Sequence, residues 1–156
     1  MRFAGFLAGS LLTIAALATT TLGHAQTPSA PITVSIGPWE GQRCFSKISP
    51  ELKLTGVPSG AAQARVFLTD LFVPTFDHGG GRTALSVSAA GEAVIPSGAL
   101  SNYKGPCSEQ DRSNPIHDYE FSVVVQNASG DTIARGKGTA WLDPSNEQGR
   151  FAGKKK

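Results

Sequence analysis

The chain has 156 residues, 40% of them hydrophobic, and its 14 Lys and Arg against 12 Asp and Glu give a formal net charge of +2. A charge this close to zero argues against broad electrostatic steering toward nucleic acid. Only the tail Lys154–Lys156 is locally basic, which is typical of a solvated chain end rather than of a binding patch. We therefore expect a polar and basic tail over residues 144–156 and no nucleic-acid partner.

The N-terminus has the pattern of a cleavable secretory signal peptide. Arg2 supplies a positive charge, and the stretch Phe3–Ala18 carries no charged residue. Gly23 and Ala25 then place small residues where a signal peptidase reads the chain. A membrane anchor is the less favoured alternative, because the apolar run is shorter than the roughly 20 residues that a spanning helix needs. The pattern predicts a signal peptide over 1–25, no transmembrane segment, and export to a periplasm or out of the cell.

The predicted domain, residues 26–143, is long enough for one hydrophobic core and too short for two. Gly and Pro separate short apolar runs, and no long stretch has apolar residues at helical spacing. The clearest strand is Tyr119–Gln126, where apolar and polar residues alternate before the turn signal Asn127–Gly130. So many short strands predict a sandwich or a barrel. The other predicted strands are Ile32–Ile36, Glu51–Leu54, Ala64–Leu71, Ala84–Ser88, Ala93–Ile95 and a hairpin partner from Thr132 to Arg135 or on to Trp141.

Two cysteines occur in the whole chain, Cys44 and Cys107. An exported protein meets an oxidising compartment, so the simplest expectation is that they pair in a disulfide. In the chain-entropy model such a bridge contributes roughly 4 kcal/mol. Two separate thiols are the alternative. We expect no metal site, because neither cysteine belongs to a Cys-x-x-Cys pair or lies near a histidine in the sequence.

A histidine followed by three glycines, His78 to Gly81, is a candidate site. Successive glycines can aim backbone N–H groups into one concavity that suits an anion. A flexible loop with an exposed histidine is the alternative. The same motif forms the oxyanion hole of some lipases and esterases, but the chain has no Gly-x-Ser-x-Gly elbow and no β–α alternation, so a hydrolase is not favoured. An enzyme that uses Asp70 and a histidine as acid and base stays open.

Several short motifs occur in order along the chain. They are Ser49-Pro50-Glu51-Leu52, Gly56-Val57-Pro58-Ser59-Gly60, Asp70-Leu71-Phe72-Val73-Pro74, His78, Tyr103-Lys104-Gly105-Pro106-Cys107 and His117-Asp118-Tyr119-Glu120-Phe121. Together they resemble the phosphatidylethanolamine-binding protein family, in its bacterial Raf kinase inhibitor-like branch, and the similarity covers Cys44 to Gly136. The resemblance implies a mainly β fold with a large antiparallel sheet, a second sheet packed on it and few short helices. It also implies a small pocket that accepts phosphate or a phospholipid head group.

The resemblance also implies which residues form that pocket. Asp70 matches the first aspartate of the family's D-P-D-x-P motif, while His117 and Tyr119 match its H-R-Y element. Imidazole, phenol and backbone N–H donors suit an anion, and Asp70 can fix a histidine tautomer or keep the ring protonated. The implied ligand-binding residues are Asp70, His78, Gly79, Gly80, Tyr103, Gly105, Pro106, His117 and Tyr119.

The chain departs from the family pattern at several of these positions. Leu71 and Phe72 replace a proline and the second aspartate, Gly79 replaces a tryptophan, and Asp118 stands in place of an arginine. We expect a non-catalytic exported protein that binds a small anion or a phospholipid head group without a cofactor. The alternative is a secreted interaction protein that inhibits or docks onto a protease or a signalling enzyme. A purely structural role for the matched residues also stays open.

Overall fold

A computed structural model describes residues 30–38, 45–106 and 117–142. These residues form eight strands and no helix, which confirms the prediction of a mainly β domain. The described part of the chain contains no helix long and apolar enough to cross a membrane. The strands are β1 (Ala30–Ile36), β2 (Leu52–Thr55), β3 (Ala61–Asp70), β4 (Gly79–Ala84), β5 (Glu92–Ile95), β6 (Asn102–Tyr103), β7 (His117–Asn127) and β8 (Thr132–Leu142).

Three predictions fall outside the residues that the structure describes. The signal peptide over 1–25 and the tail over 144–156 lie beyond its ends, and the pairing of Cys44 with Cys107 lies in the two gaps. Each of them stays a prediction.

All eight strands belong to one curled sheet, in the order β5-β2-β1-β8-β7-β3-β4-β6. Neighbouring strands are antiparallel except β1 and β8, which run parallel at the centre of the sheet, so the sheet is mixed rather than purely antiparallel. The second, packed sheet that the family resemblance implies stays a prediction. The few short helices do not occur within the described ranges.

The parallel contact between β1 and β8 depends on two glycines of β8. A Cβ atom at Gly136 would lie 2.4 Å from the carbonyl oxygen of Ile32, and one at Gly138 would lie 2.6 Å from that of Val34. Both distances are too short for any larger residue unless the backbone moves. The glycines therefore allow the first strand to pack closely against the last one, which joins the two halves of the sheet.

The hydrophobic core lies on the inner face of the curled sheet. Alternate residues of β3 and β7 are buried, as expected for strands with one face covered. Residues from both halves of the sheet form a single buried cluster, so the curl encloses one core. Its largest fully buried side chains include Tyr103, Tyr119, Phe121, Leu52 and Leu54.

Most of the predicted strands are confirmed, with small shifts at their ends. The strand predicted over Ala84–Ser88 is wrong. The strand there is β4, which ends at Ala84 and begins within the glycine run at Gly79. The glycines pair with β3, as Gly81 opposite Val66 and Gly80 opposite Phe67, and Leu85 then leaves the sheet after a hydrogen bond to Ala62.

Candidate functional site

Four of the predicted ligand-binding side chains come together at one end of the inner face. Asp70 is the last residue of β3 and lies directly opposite Tyr119 of β7. His117, two positions before Tyr119, projects to the same face because strand side chains alternate. His78 reaches them from the residue before β4, and its ring is 5.4 Å from the Tyr119 ring. We call Asp70, His78, His117 and Tyr119 the inner cluster; all four are buried.

The centre of the inner cluster is a pair formed by Asp70 and His117. The Nδ1 atom of His117 lies 2.6 Å from Oδ2 of Asp70. The other carboxylate oxygen, Oδ1, accepts hydrogen bonds from the backbone N–H groups of Phe72 at 2.8 Å and Val73 at 3.1 Å. The loop after β3 therefore folds back to cap its own aspartate, in the manner of an Asx turn.

These contacts set the ionisation of Asp70. Burial is the largest single influence and raises its pKa, because it disfavours the charged carboxylate. The hydrogen bond from His117 and those from the backbone of Val73 and Phe72 act the other way and together outweigh burial. The pKa of Asp70 is therefore held below its ordinary value of 3.8. The carboxylate is ionised at neutral pH, and Nδ1 of His117 carries the proton that it donates.

His78 is oriented by the loop that follows β6. Its Nδ1 lies 2.9 Å from the carbonyl oxygen of Lys104, and its own carbonyl accepts a hydrogen bond from the Lys104 N–H at 2.9 Å. A carbonyl oxygen can only accept, so Nδ1 of His78 is the protonated nitrogen. The rings of both histidines in the inner cluster are thus held through Nδ1.

Two exposed phenyl rings cover these histidines, a feature that the sequence analysis did not anticipate. Phe72, exposed by 50%, lies 4.8 Å from the ring of His117. Phe76, exposed by 40%, lies 4.7 Å from the ring of His78. An apolar cover therefore lies over the buried Asp70–His117 pair.

The remaining predicted residues support the inner cluster or lie apart from it. Tyr103 is fully buried and its ring stacks on Phe121 with centroids 6.4 Å apart. Gly105 and Pro106 are also buried, and the N–H of Gly105 donates to the carbonyl of Ser46. These three residues hold the loop that positions His78. A direct role in ligand binding stays a prediction for them.

Gly79 and Gly80 do not form the free concavity of N–H groups that the glycine run predicted. They are strand residues that pair with Tyr103 and Asn102 of β6, and the Gly79 N–H donates to Oδ1 of Asp77 at 2.8 Å. They line a groove on the outer face of the sheet. A direct role of Gly79 and Gly80 in ligand binding at the inner cluster stays a prediction. Within the described ranges, no group of three or more His, Cys, Asp or Glu side chains could hold a metal ion.

Comparison of the chain with protein-family models, with curated proteins and with solved structures found no match in any of the three.

Proposed function

We propose that the protein is an exported, non-catalytic binding protein of the phosphatidylethanolamine-binding type, which receives a small anion or a phospholipid head group at the inner cluster. The observation that carries the proposal is the convergence of Asp70, His78, His117 and Tyr119. These residues come from separate parts of the chain, and they are the polar side chains that the family resemblance assigns to the pocket.

The chemistry of the two histidines supports an anionic ligand. Because Nδ1 of each ring is already held by an oxygen acceptor, a second proton on either ring would reside on Nε2. A protonated Nε2 is a charge-assisted donor to a phosphate oxygen. Asp70, kept ionised by its low pKa, compensates the positive charge that His117 acquires when it takes up this proton.

Access to the inner cluster depends on the loop after β3. Phe72 and Phe76 lie against the two histidine rings and are themselves at the surface. A ligand must move one of these rings or insert beside it. The proposal therefore includes a rearrangement of the segment from Leu71 to Phe76, and a ligand with an apolar part adjoining its phosphate gains contact with the phenyl rings.

Calorimetric titration of the purified protein with inorganic phosphate and phosphoethanolamine tests this proposal. The decisive variants are His78→Asn and His117→Asn, because the asparagine amide keeps a donor near the Nδ1 position and removes Nε2. We expect each variant to weaken binding by about tenfold or more, the value of one charge-assisted hydrogen bond.

Glu120→Gln is the matched control for these variants. Glu120 lies on the same strand as His117 but faces the other side, where it pairs with Lys137 at 2.9 Å. This substitution changes one charge without touching the inner cluster and should leave binding unchanged. The proposal would be contradicted if the wild-type protein did not bind at millimolar ligand. It would also be contradicted if both histidine variants bound as tightly as the wild-type protein.

A second candidate, an interaction protein that docks onto a protease or signalling enzyme, is favoured by the exposed apolar loop. Leu71, Phe72, Val73 and Phe76 all have large exposed surfaces, and clusters of this kind often mark interfaces. For this function, serine at Phe72 and Phe76 should abolish inhibition of the partner enzyme, while the histidine-to-asparagine variants should retain it.

A further inference from the structure

The outer face of the sheet contains a groove that differs in chemical character from the inner cluster. Its volume is about 360 Å³, and it is open to solvent. The side chains that line it include Arg65, Arg82, Phe67, Asn102 and Asp77. A volume of this size lies at the lower end of the range for small-molecule sites.

Two arginines lie side by side in the lining of this groove. Arg65 of β3 and Arg82 of β4 are directly opposite in the antiparallel register, which places their side chains on the same face and close together. Arg65 is held over the ring of Phe67, with its guanidinium carbon 5.3 Å from the ring centroid. Among the ion pairs of the described residues, none involves either arginine.

Like charges placed directly opposite each other destabilise a pair of strands. A sheet that carries such a pair without a neutralising carboxylate is improved by an anion bound between the two guanidinium groups. Guanidinium groups bind phosphate with paired, parallel hydrogen bonds, so two of them can hold a single tetrahedral anion from two sides.

Gly80 contributes only backbone to the lining of the groove. Gly80 is opposite Phe67 in the register, so it occupies an outward-facing position beside the arginines. A Cβ atom there would lie 2.0 Å from the carbonyl oxygen of Val66. Any other residue would thus disturb the pairing of β4 with β3, and this pairing sets Arg82 opposite Arg65.

The one carboxylate of the groove is already engaged. Asp77 accepts the Gly79 N–H at 2.8 Å and lies 3.8 Å from the ammonium group of Lys104. Its charge is therefore partly neutralised by groups other than the two arginines. Among the described residues it forms no ion pair with Arg65 or Arg82.

We propose that this groove is a second anion site, which binds a phosphate group between Arg65 and Arg82. Phe67 would lie beside the organic substituent that is bonded to the phosphate. The volume exceeds what a bare phosphate ion needs, so a small organic substituent fits as well. The site is independent of the inner cluster, because its residues project from the opposite face of β3.

Phosphate titration of the wild-type protein followed by NMR of the arginine Nε–Hε groups tests this site. We expect inorganic phosphate to shift the signals of Arg65 and Arg82, and Arg82→Gln to weaken this binding by about tenfold or more. Arg82→Lys should recover only part of the affinity, because lysine lacks the paired donors of the guanidinium group. Unfolding midpoints of each variant confirm that the domain remains folded.

Arg135→Gln provides the matched control. Arg135 is exposed on the same face, opposite Val124, which in turn is opposite Arg65, and it does not line the groove. The control removes one positive charge and should leave phosphate binding unchanged. Equal weakening by Arg135→Gln and Arg82→Gln would reduce the effect to net charge and overturn the proposal.

A second titration distinguishes the source of the phosphate group. Vesicles of phosphatidylcholine with and without phosphatidic acid are added to the wild-type protein, to Arg82→Gln and to His117→Asn. If the protein binds acidic vesicles and only Arg82→Gln removes this binding, the groove binds a lipid phosphate. If the protein binds free phosphate at the groove but does not bind the vesicles, its ligand is a soluble phosphate. If both ligands bind with affinities that depend only on the histidines, or if neither binds, the groove is not a phosphate site.

Discussion

The two faces of strand β3 differ in whether their charged side chains have partners. On the inner face, Asp70 is buried and both of its carboxylate oxygens accept hydrogen bonds, from His117 or from the backbone of the following loop. On the outer face, Arg65 and Arg82 are opposite each other at the groove without an ion-pair partner among the described residues.

This difference in charge pairing has different consequences for the stability of the fold and for ligand binding. A buried charge must be compensated inside the protein, and removal of one partner leaves a large penalty. A pair of solvated cations tolerates incomplete compensation and can exchange water for a ligand. We therefore expect substitutions in the inner cluster to affect folding and binding together, and substitutions of the two arginines in the outer groove to affect mainly binding.

The largest effect should follow from Asp70→Ala. This change leaves His117 and the N–H groups of Phe72 and Val73 without their buried acceptor, so we expect a loss of about 3 kcal/mol or more in the free energy of unfolding. Urea denaturation measures it. Asp77→Ala is the control, because Asp77 also accepts a backbone N–H and pairs with a cation but is exposed; its cost should stay below about 1 kcal/mol.

Gly80→Ala should have the next largest effect. Gly80 has a φ angle of +143° and no space for a Cβ atom beside Val66, so we expect a destabilisation of about 2 kcal/mol. Gly60→Ala serves as the comparison, since a Cβ atom at Gly60 meets nothing within 4 Å. Equal unfolding midpoints for the two alanine variants would show that the strand adapts and that Gly80 is not needed for the groove.

Acid should weaken the inner cluster in a predictable direction. The pKa of Asp70 is lower in the folded protein than its ordinary value of 3.8, so its contribution is complete above that value and is lost as pH falls through the folded-state pKa. We expect the wild-type protein to lose stability below about pH 4. Asp70→Asn should lose less over the same range, which urea midpoints at a series of pH values would reveal; parallel curves would contradict the assignment.

The smallest effect on stability should be a gain, and it should follow from a change at Arg82. Arg82→Glu replaces a pair of like charges with an opposite-charge pair facing Arg65, which should stabilise the sheet by roughly 0.5 kcal/mol. The same change should abolish phosphate binding in the groove. Arg82→Gln should give a smaller gain, and a destabilised Arg82→Glu protein would show that the two arginines do not repel each other in the native sheet.

Part of the fold was predictable because it leaves a periodic pattern. The alternation along β7 and the turn from Asn127 to Gly130 predicted the central hairpin, which is confirmed. Strand β4 was not predicted because glycines carry no side chains and so no alternation. β6 has only two residues, too few for any period to be visible.

The inner cluster was predictable from the order of short motifs, whereas its cover was not. The sequence analysis singled out Asp70, His78, His117 and Tyr119 from a family resemblance, and the structure brings these four side chains together. The contact between Phe72 and His117 depends on how the loop folds back over the sheet, which local sequence does not specify. The position of Arg65 opposite Arg82 likewise depends on the register of a glycine-containing strand. Only the three-dimensional structure provides this register.

The parallel alignment of the first and last strands also determines how the domain responds to force. The chain enters β1 at one end of the β1–β8 ladder and leaves β8 at the other. Tension between these two points acts along the ladder, so its hydrogen bonds are loaded together in shear instead of opening one after another. An unfolding machine that pulls on a terminus would therefore meet the main mechanical resistance at the centre of the sheet, beside Gly136 and Gly138, before either edge strand carries load.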